Sequence, residues 1–476
     1  MRGALMPPRG WTWAALGLAG ALALGLSWVI VHSPLTLYDG LAPILNARRS
    51  PSVIETFTRT LDSAGYWRPL RLVQIKVLFD LFPSDPTPVF KAVHVALVFA
   101  ATLLFALWLR PRSVVEFTAA ATALMIVVGH HSFLTLISEE YPINHFLEMM
   151  ALTIATALLA RGAPRWWKDL LVPLLLVAGL LTLEMGILIA VAAVACWMVG
   201  WRGVSGRGVA ACLVVVALYL WVRFGVLHVP SPGLDERETG WWLERLQPEE
   251  IVARFGSNPL PFYAYNLMAA LLDVLLSQPR AGTWYMARAW LDHDIRPWMV
   301  IHLVSSALVS GALLVSAVAA LNRWRRAALE ERDRFVLVAL ALVSANTALS
   351  YGYVKDEVLS VGAAFYAAGA FAVLAHLGAR VRERSGAHLA AAVLLVCVSS
   401  LWSVRAAGTF FGVRSSVYKT ATDWGRFSLE RDLPEDWELD ATRRLFLELR
   451  QKNVGGQVPS PAFTNERYVQ RYVEIQ

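Results

Sequence analysis

Apolar stretches close to the length that crosses a hydrocarbon layer recur along the whole chain, and no soluble fold accommodates them. A helix covers the core of a bilayer in about 20 residues. The blocks Trp11–Val31, Pro88–Leu109, Ser113–Gly129, Phe146–Ala160, Leu170–Leu183, Gly186–Trp201, Val209–Val226, Trp298–Leu321, Phe335–Tyr351, Leu359–Leu377 and Leu389–Val404 all approach it. Backbone polar groups in lipid must be satisfied within their own segment, which forces helices. The expected fold is therefore all-α: a polytopic transmembrane helical bundle of about 11 helices with large extracytoplasmic loops. Only 17% of the residues are charged, against roughly a quarter in a soluble domain.

The formal charge of +7 and a pI near 9.4 do not point to nucleic acid, because the arginines sit in short clusters between apolar blocks. With the N-terminus inside, the cytoplasmic connections become Arg110–Arg112, Arg161–Lys168, Arg202–Arg207, Asn322–Arg334 and Ala379–Arg384, and each bears arginine. That is the orientation signal of a membrane protein. The first block is longer than the apolar part of a signal peptide and reads as an uncleaved anchor. The long segments His32–Thr87, His130–His145 and Leu227–Pro297 then lie outside, with the tail from Arg405 to Gln476.

Two blocks are ambiguous. Leu170–Trp201 is long enough for one helix, but Glu184-Met-Gly186 at its centre favours a hairpin, since an intramembrane carboxylate is costly. Pro261–Ser277 is apolar apart from Asn266 and Asp273. A crossing there would reverse every later arginine loop, so an interfacial or re-entrant helix is expected. The domain reading is a membrane domain over residues 1–404, including outer loops 33–87 and 227–297, and a small outer tail over 405–476. Cys196, Cys212 and Cys397 lie in apolar blocks without paired spacing, which supports neither disulfides nor a zinc site. The chain shows no repeat and no glycine-rich phosphate loop.

The first outer segment carries Tyr38-Asp39-Gly40 just after the first apolar block, and later Tyr66-Trp67-Arg68-Pro69-Leu70. This arrangement resembles the integral-membrane glycosyltransferases of the C-type fold, which use polyprenyl-phosphate sugars. The likeness is to bacterial members and to the O-mannosyltransferases bearing tetratricopeptide repeats, with an acidic residue after the first helix and a Tyr-Tyr-Arg-Pro-Leu-like stretch. The resemblance implies Asp39 as catalytic base, with Arg68, Arg71 and Lys355 on the donor phosphate. It also places Tyr66, Trp67, His131, Glu139, Glu140 and Glu184 around the acceptor or in supporting positions. Glu184 and Gly186 match the family's Ser-Lys-Glu-x-Gly turn, but Leu183 stands where the family has lysine.

The chemistry suits those roles: a carboxylate takes the acceptor's proton and cations hold the departing phosphate. Plain alternatives stand beside them. Asp39 in a Tyr-Asp-Gly turn is also an ordinary turn residue, and Arg68 beside Trp67 is also an ordinary interfacial pair. His130, His131, Glu139, Glu140 and His145 suit a divalent cation or contact with an acceptor, but a solvated loop is the preferred reading, and no metal site is assigned.

The expected partners are the lipid bilayer, a polyprenyl-phosphate-linked sugar and a glycan, lipid or protein acceptor, in a bacterial inner membrane, with no nucleic acid. A lipid-glycan transporter or a non-enzymatic scaffold of the same fold is the rival. An ion-coupled carrier would rest on the intramembrane groups Glu116, Glu148, Arg223 and His302.

Overall fold

The computed structural model describes residues 8–35, 38–61, 66–83, 85–138, 142–229, 233–277, 282–382, 388–426 and 439–455. The helices are α1 Pro8–His32, α2 Tyr38–Arg49, α3 Val53–Arg59, α4 Pro69–Leu81, α5 Thr87–Leu109, α6 Val114–Gly129, α7 His131–Ser138, α8 His145–Arg161, α9 Trp166–Thr182 and α10 Ile187–Met198. They continue as α11 Gly206–Leu220, α12 Pro248–Phe255, α13 Leu260–Leu276, α14 Gly282–Leu291, α15 Pro297–Arg325, α16 Glu331–Ala348, α17 Ser360–Arg382, α18 His388–Arg426 and α19 Leu439–Gly455. One short antiparallel hairpin, Thr239–Trp241 with Glu244–Leu246, interrupts the helical pattern.

Among the described residues, six helical segments are long and apolar enough to cross a membrane: Gly10–His32, Thr87–Leu109, Gly206–Val226, Pro297–Arg325, Glu357–Ala379 and Ala391–Val413. A seventh arises if α6 and α7, bent by 57° at His130, form one span. The chain is therefore a multi-pass membrane protein. Apolar side chains left outside the bundle, such as Val315 and Val318 at 73% and 61% exposure, suit lipid rather than water. The segment with α17 is the buried axis of the bundle, packed on α16, α6 and α18.

Contacts between helix ends sort into two poles. At one, the Thr12 hydroxyl donates to the Pro111 carbonyl (3.0 Å), the Gly203 amide donates to Ala160 (2.7 Å), and Arg161 pairs with Glu331 (2.9 Å). Arg323 grips Asp333 through Nε and Nη2 and closes the α15–α16 hairpin. At the other pole, Lys91 donates to the Val31 carbonyl at the end of α1 (2.8 Å). There too the α9–α10 turn meets the segment that opens α4. Helix α8 joins the poles, and its 17 residues span about 25 Å at 1.5 Å per residue.

The long segment between the first two apolar blocks is not an open loop. It folds into α2, α3 and α4, and Leu35, Leu41, Ile44 and Leu45 share a second apolar core with Trp424, Leu445, Phe446 and Leu449. The Trp424 indole donates to the Leu35 carbonyl (2.6 Å), so part of the tail packs beside the first long segment.

Two sequence expectations need correction. The boundary at residue 404 cuts through a helix, because α18 runs unbroken from His388 to Arg426. Arg405 does not begin a separate tail; it lies inside the bundle, 4% exposed. It donates to Ser305, Ser306 and Ser277 hydroxyls and to the His302 and Ser277 carbonyls, so a charge that reads as a terminus is accommodated inside. The described residues of His130–His145 are likewise not a solvated loop. They include α7, and His130 and His145 are buried, because their ring nitrogens find partners in the Val274 carbonyl (3.0 Å) and Glu148 (3.1 Å).

Helix α13 ends against the middle of α15, where the Ser310 hydroxyl donates to the Leu275 carbonyl. Ser310 lies 13 residues inside α15 from Pro297, about 20 Å along its axis.

The α9–α10 turn depends on a close approach. Helix α9 ends at Thr182, Leu183 is extended (φ −156°, ψ 143°), and a single 3-10 turn over Glu184–Gly186 reverses the chain. Gly186 sits directly on the α9 backbone, and a Cβ there would collide with Gly179 and Leu180. Gly186→Ala is expected to destabilise the protein by about 1–3 kcal/mol, the usual cost of overpacking. Gly17→Ala, on an exposed face with nothing within 4 Å, should leave it unchanged. Thermal unfolding of the two variants in detergent checks this.

Candidate functional site

Arg68 precedes Pro69, the first residue of α4. Proline disfavours a helical residue before it and is itself tolerated at a helix start, so Arg68 is held just outside the helix (φ −132°, ψ 60°). From there its Nε donates to Glu184 Oε2 (2.8 Å) and Nη2 lies 2.6 Å from the same oxygen. The other carboxylate oxygen accepts from Arg223 Nη1 (3.1 Å). Arg223 lies in a π-helical turn, Trp221–Val226, that continues α11; such turns widen a helix locally and are frequent at functional sites.

Aromatic residues surround this network. Trp67 stacks on Tyr219 with centroids 5.6 Å apart, and Arg223 Nη1 also donates to the Tyr219 hydroxyl (3.1 Å). The Arg68 guanidinium lies 4.1 Å from the centroid of the Tyr66 ring. The Tyr66 hydroxyl donates to Glu236 (2.6 Å). Burial and this hydrogen bond to Glu236 raise the Tyr66 phenol above its ordinary value, so it remains a donor at neutral pH.

Burial pushes the Glu184 carboxyl up, but the Arg68 and Arg223 guanidinium groups outweigh it and hold the carboxyl below its usual range. Two guanidinium groups converge on the Glu184 carboxylate, and a second carboxylate, Glu236, closes the network beyond Tyr66. Arg223 also keeps a buried Nε without a partner among the described residues. Guanidinium forks match the oxygens of a phosphate or carboxylate, so the two arginines offer donors of the kind an anionic group takes.

The start of α8 lies alongside. Asn144 caps it by accepting from the Leu147 amide (3.0 Å), and Gln74 of α4 donates to Glu148 (3.1 Å). His145 is an electrostatic neighbour of both Arg68 and Arg71, the latter one turn along α4. Lys355 reaches the same helix, its ammonium 5.5 Å from the Phe146 ring centroid and 3.6 Å from Glu357. Lys355, Asp356 and Glu357 are 7%, 7% and 1% exposed, so this is a buried charged turn. Its Asp356 pairs with His131 (3.0 Å).

Tyr66, Trp67, Arg68 and Glu184 are thus brought into one network, with Arg71 and Lys355 around the adjoining end of α8 and His131 bound to the Lys355 turn. Asp39 opens α2, which packs against α4, but its side chain lies outside the described residues, as do Glu139 and Glu140 altogether. Among the described residues no three His, Cys, Asp or Glu side chains form a group that would hold a metal ion. The sequence reading missed Tyr219 and Glu236 as members of the site and placed Arg223 in a different one. Part of the signal for Arg223 was present, since an arginine inside an apolar block needs a partner, but nothing in the sequence says that Glu184 is that partner.

Glu184 with either arginine should behave as one unit. Arg68→Ala and Glu184→Ala are expected to couple by about 1–2 kcal/mol in a double-mutant cycle, read from unfolding in detergent. The pH dependence has a definite sign. The folded-state carboxyl is depressed, so its pairing stabilises fully above the unfolded value of about 4.3 and is lost as pH falls through the lower folded value. The stability gap between the native protein and Glu184→Gln should therefore hold from neutral pH down to about 4 and close below it. Compared with protein-family models, with curated proteins and with solved structures, the chain matches none.

Proposed function

We propose that the chain is a membrane glycosyltransferase that takes a polyprenyl-phosphate-linked sugar from the bilayer and passes it to a glycan, lipid or protein acceptor. The observation that carries this reading is the convergence of Arg68 and Arg223 on one carboxylate, with Arg71 and Lys355 at the adjoining start of α8, at a single pole of the bundle. Cations gathered there would meet a lipid phosphate arriving laterally. They also answer the lysine missing at Leu183, since Arg68 and Arg223 bring positive charge to Glu184 from two other elements.

In this reading Asp39 takes the proton of the acceptor hydroxyl as its oxygen attacks the anomeric carbon, and the bond from that carbon to the phosphate oxygen breaks with inversion. The negative charge that develops on the departing lipid phosphate is met by Arg68 and Arg71. The arginine-bearing pole is cytoplasmic by the positive-inside rule. The chain then crosses eleven times, with α1, α5, α6, α8, α9, α10, α11, α15, α16, α17 and α18 running alternately between the poles, and the site faces outward.

One observation favours the rival, a transporter or scaffold of the same fold: Arg68 already spends two of its donors on Glu184. Transfer assays in proteoliposomes with radiolabelled polyprenyl-phosphate sugars separate the two. Asp39→Asn, which removes the base but little volume, is expected to lower transfer by about 100-fold or more. Arg68→Lys should lower it about tenfold, because an ammonium cannot copy the guanidinium fork. Full activity of Asp39→Asn, or no transfer by the native chain with any lipid-linked sugar, would leave the rival as the better reading.

A further inference from the structure

The pole opposite the candidate site holds a second concentration of charge. Arg110, Arg112, Arg161, Arg202 and Arg334 line one cleft of about 250 Å³ with a single carboxylate, Glu331. Arginines that act only as orientation signals need not meet, yet these come from four separate connections and converge. The carboxylate is already engaged, accepting from Arg161 Nε (2.9 Å) and from the Trp201 indole (3.2 Å). Arg161 also donates to the Trp108 and Leu109 carbonyls that end α5, which fixes it as part of the floor.

Most of the remaining charge is uncompensated, Arg334 meeting Glu331 only at 3.9 Å. Arg110, Arg112 and Arg202 make no ion pair among the described residues, and the buried Nε of Arg334 has no hydrogen-bond partner there. Arg110 and Arg112 lie close enough to Arg161 for their like charges to act on it, as the charge of Glu331 does. Chain geometry holds them together: Arg110 takes a left-handed conformation (φ 49°) just before Pro111, and Gly200 does so beside Arg334 (φ 91°).

We propose that this cleft binds a phosphate group, presented either by an anionic lipid headgroup or by a soluble phosphate compound. Five guanidinium groups against one carboxylate give the charge, and their planar forks give the geometry that phosphate oxygens fit. The volume holds a phosphate with part of its substituent and falls below the range for a whole drug-sized ligand. Basic pockets between helices at the cytoplasmic face of a membrane are known to hold lipid headgroups. The inference does not depend on the glycosyl-transfer reading.

The full-length protein, reconstituted in nanodiscs of phosphatidylcholine, provides the test. One arm replaces part of that lipid with phosphatidylglycerol, and the other adds inorganic pyrophosphate at constant ionic strength. The thermal midpoint is followed as each is titrated, in the native chain and in Arg112→Gln/Arg202→Gln, whose side chains carry no ion pair among the described residues. A rise in one arm, with apparent affinity about tenfold weaker in the double variant, supports the site and identifies its source as lipid or soluble. A rise of equal size and affinity in both proteins, or no rise in either arm, overturns it. Should the double variant fold poorly, Arg112→Lys, which keeps the charge and loses the fork, must still bind more weakly than the native chain.

Discussion

The carboxylate of Glu184, shared between Arg68 and Arg223, joins three parts of the chain that are far apart in sequence. It ties the segment opening α4 to the α9–α10 turn and to the π-helical end of α11. An unpaired charge at the edge of a hydrocarbon layer is costly, so each of the three groups constrains where the others can stand. Gly186, packed on Gly179, allows the turn to present Glu184 at all. The stacking of Trp67 on Tyr219 closes the apolar side of the same junction.

Arg405 solves the complementary problem of burying a cation with no carboxylate bound to it among the described residues. Its donors go to the hydroxyls of Ser277, Ser305 and Ser306 and to the carbonyls of His302 and Ser277, and its guanidinium lies 3.9 Å from the centroid of the Trp402 ring. Ser277 ends α13 in a left-handed conformation, so the cation meets the negative end of a helix dipole. This one side chain therefore connects α18, α15 and the inner end of α13, which explains why α13 can stop in the middle of the bundle.

The two poles differ in how charge is handled. At the pole of the candidate site, cations and carboxylates are interleaved and mostly paired, with aromatic rings between them. At the other, arginines outnumber carboxylates and crowd a cleft. Helix α8 connects the two, its start beside Arg68 and Arg71 and its end, Arg161, in the arginine cleft.

The sequence by itself determined that the chain lies in a membrane, since block length and the hydrogen-bonding demands of lipid leave no other solution. It also determined the turn at Glu184–Gly186, because a carboxylate and a glycine together mark a reversal at the edge of an apolar block. Arg68 was singled out by the resemblance of Tyr66–Leu70 to a family motif, and the structure gives the proline after it a local reason to hold it outside the helix. What only the tertiary structure decided is which charges meet. Arg223 and Arg405 both read as intramembrane liabilities or loop charges, because their partners lie 39 and about 100 residues away in sequence. The burial of His130 and of Lys355–Glu357 was equally illegible, since polar residues between apolar blocks look the same whether water or other helices surround them. Periodicity and composition report one segment's own preference, whereas a shared carboxylate or a capped helix end is a property of several segments at once.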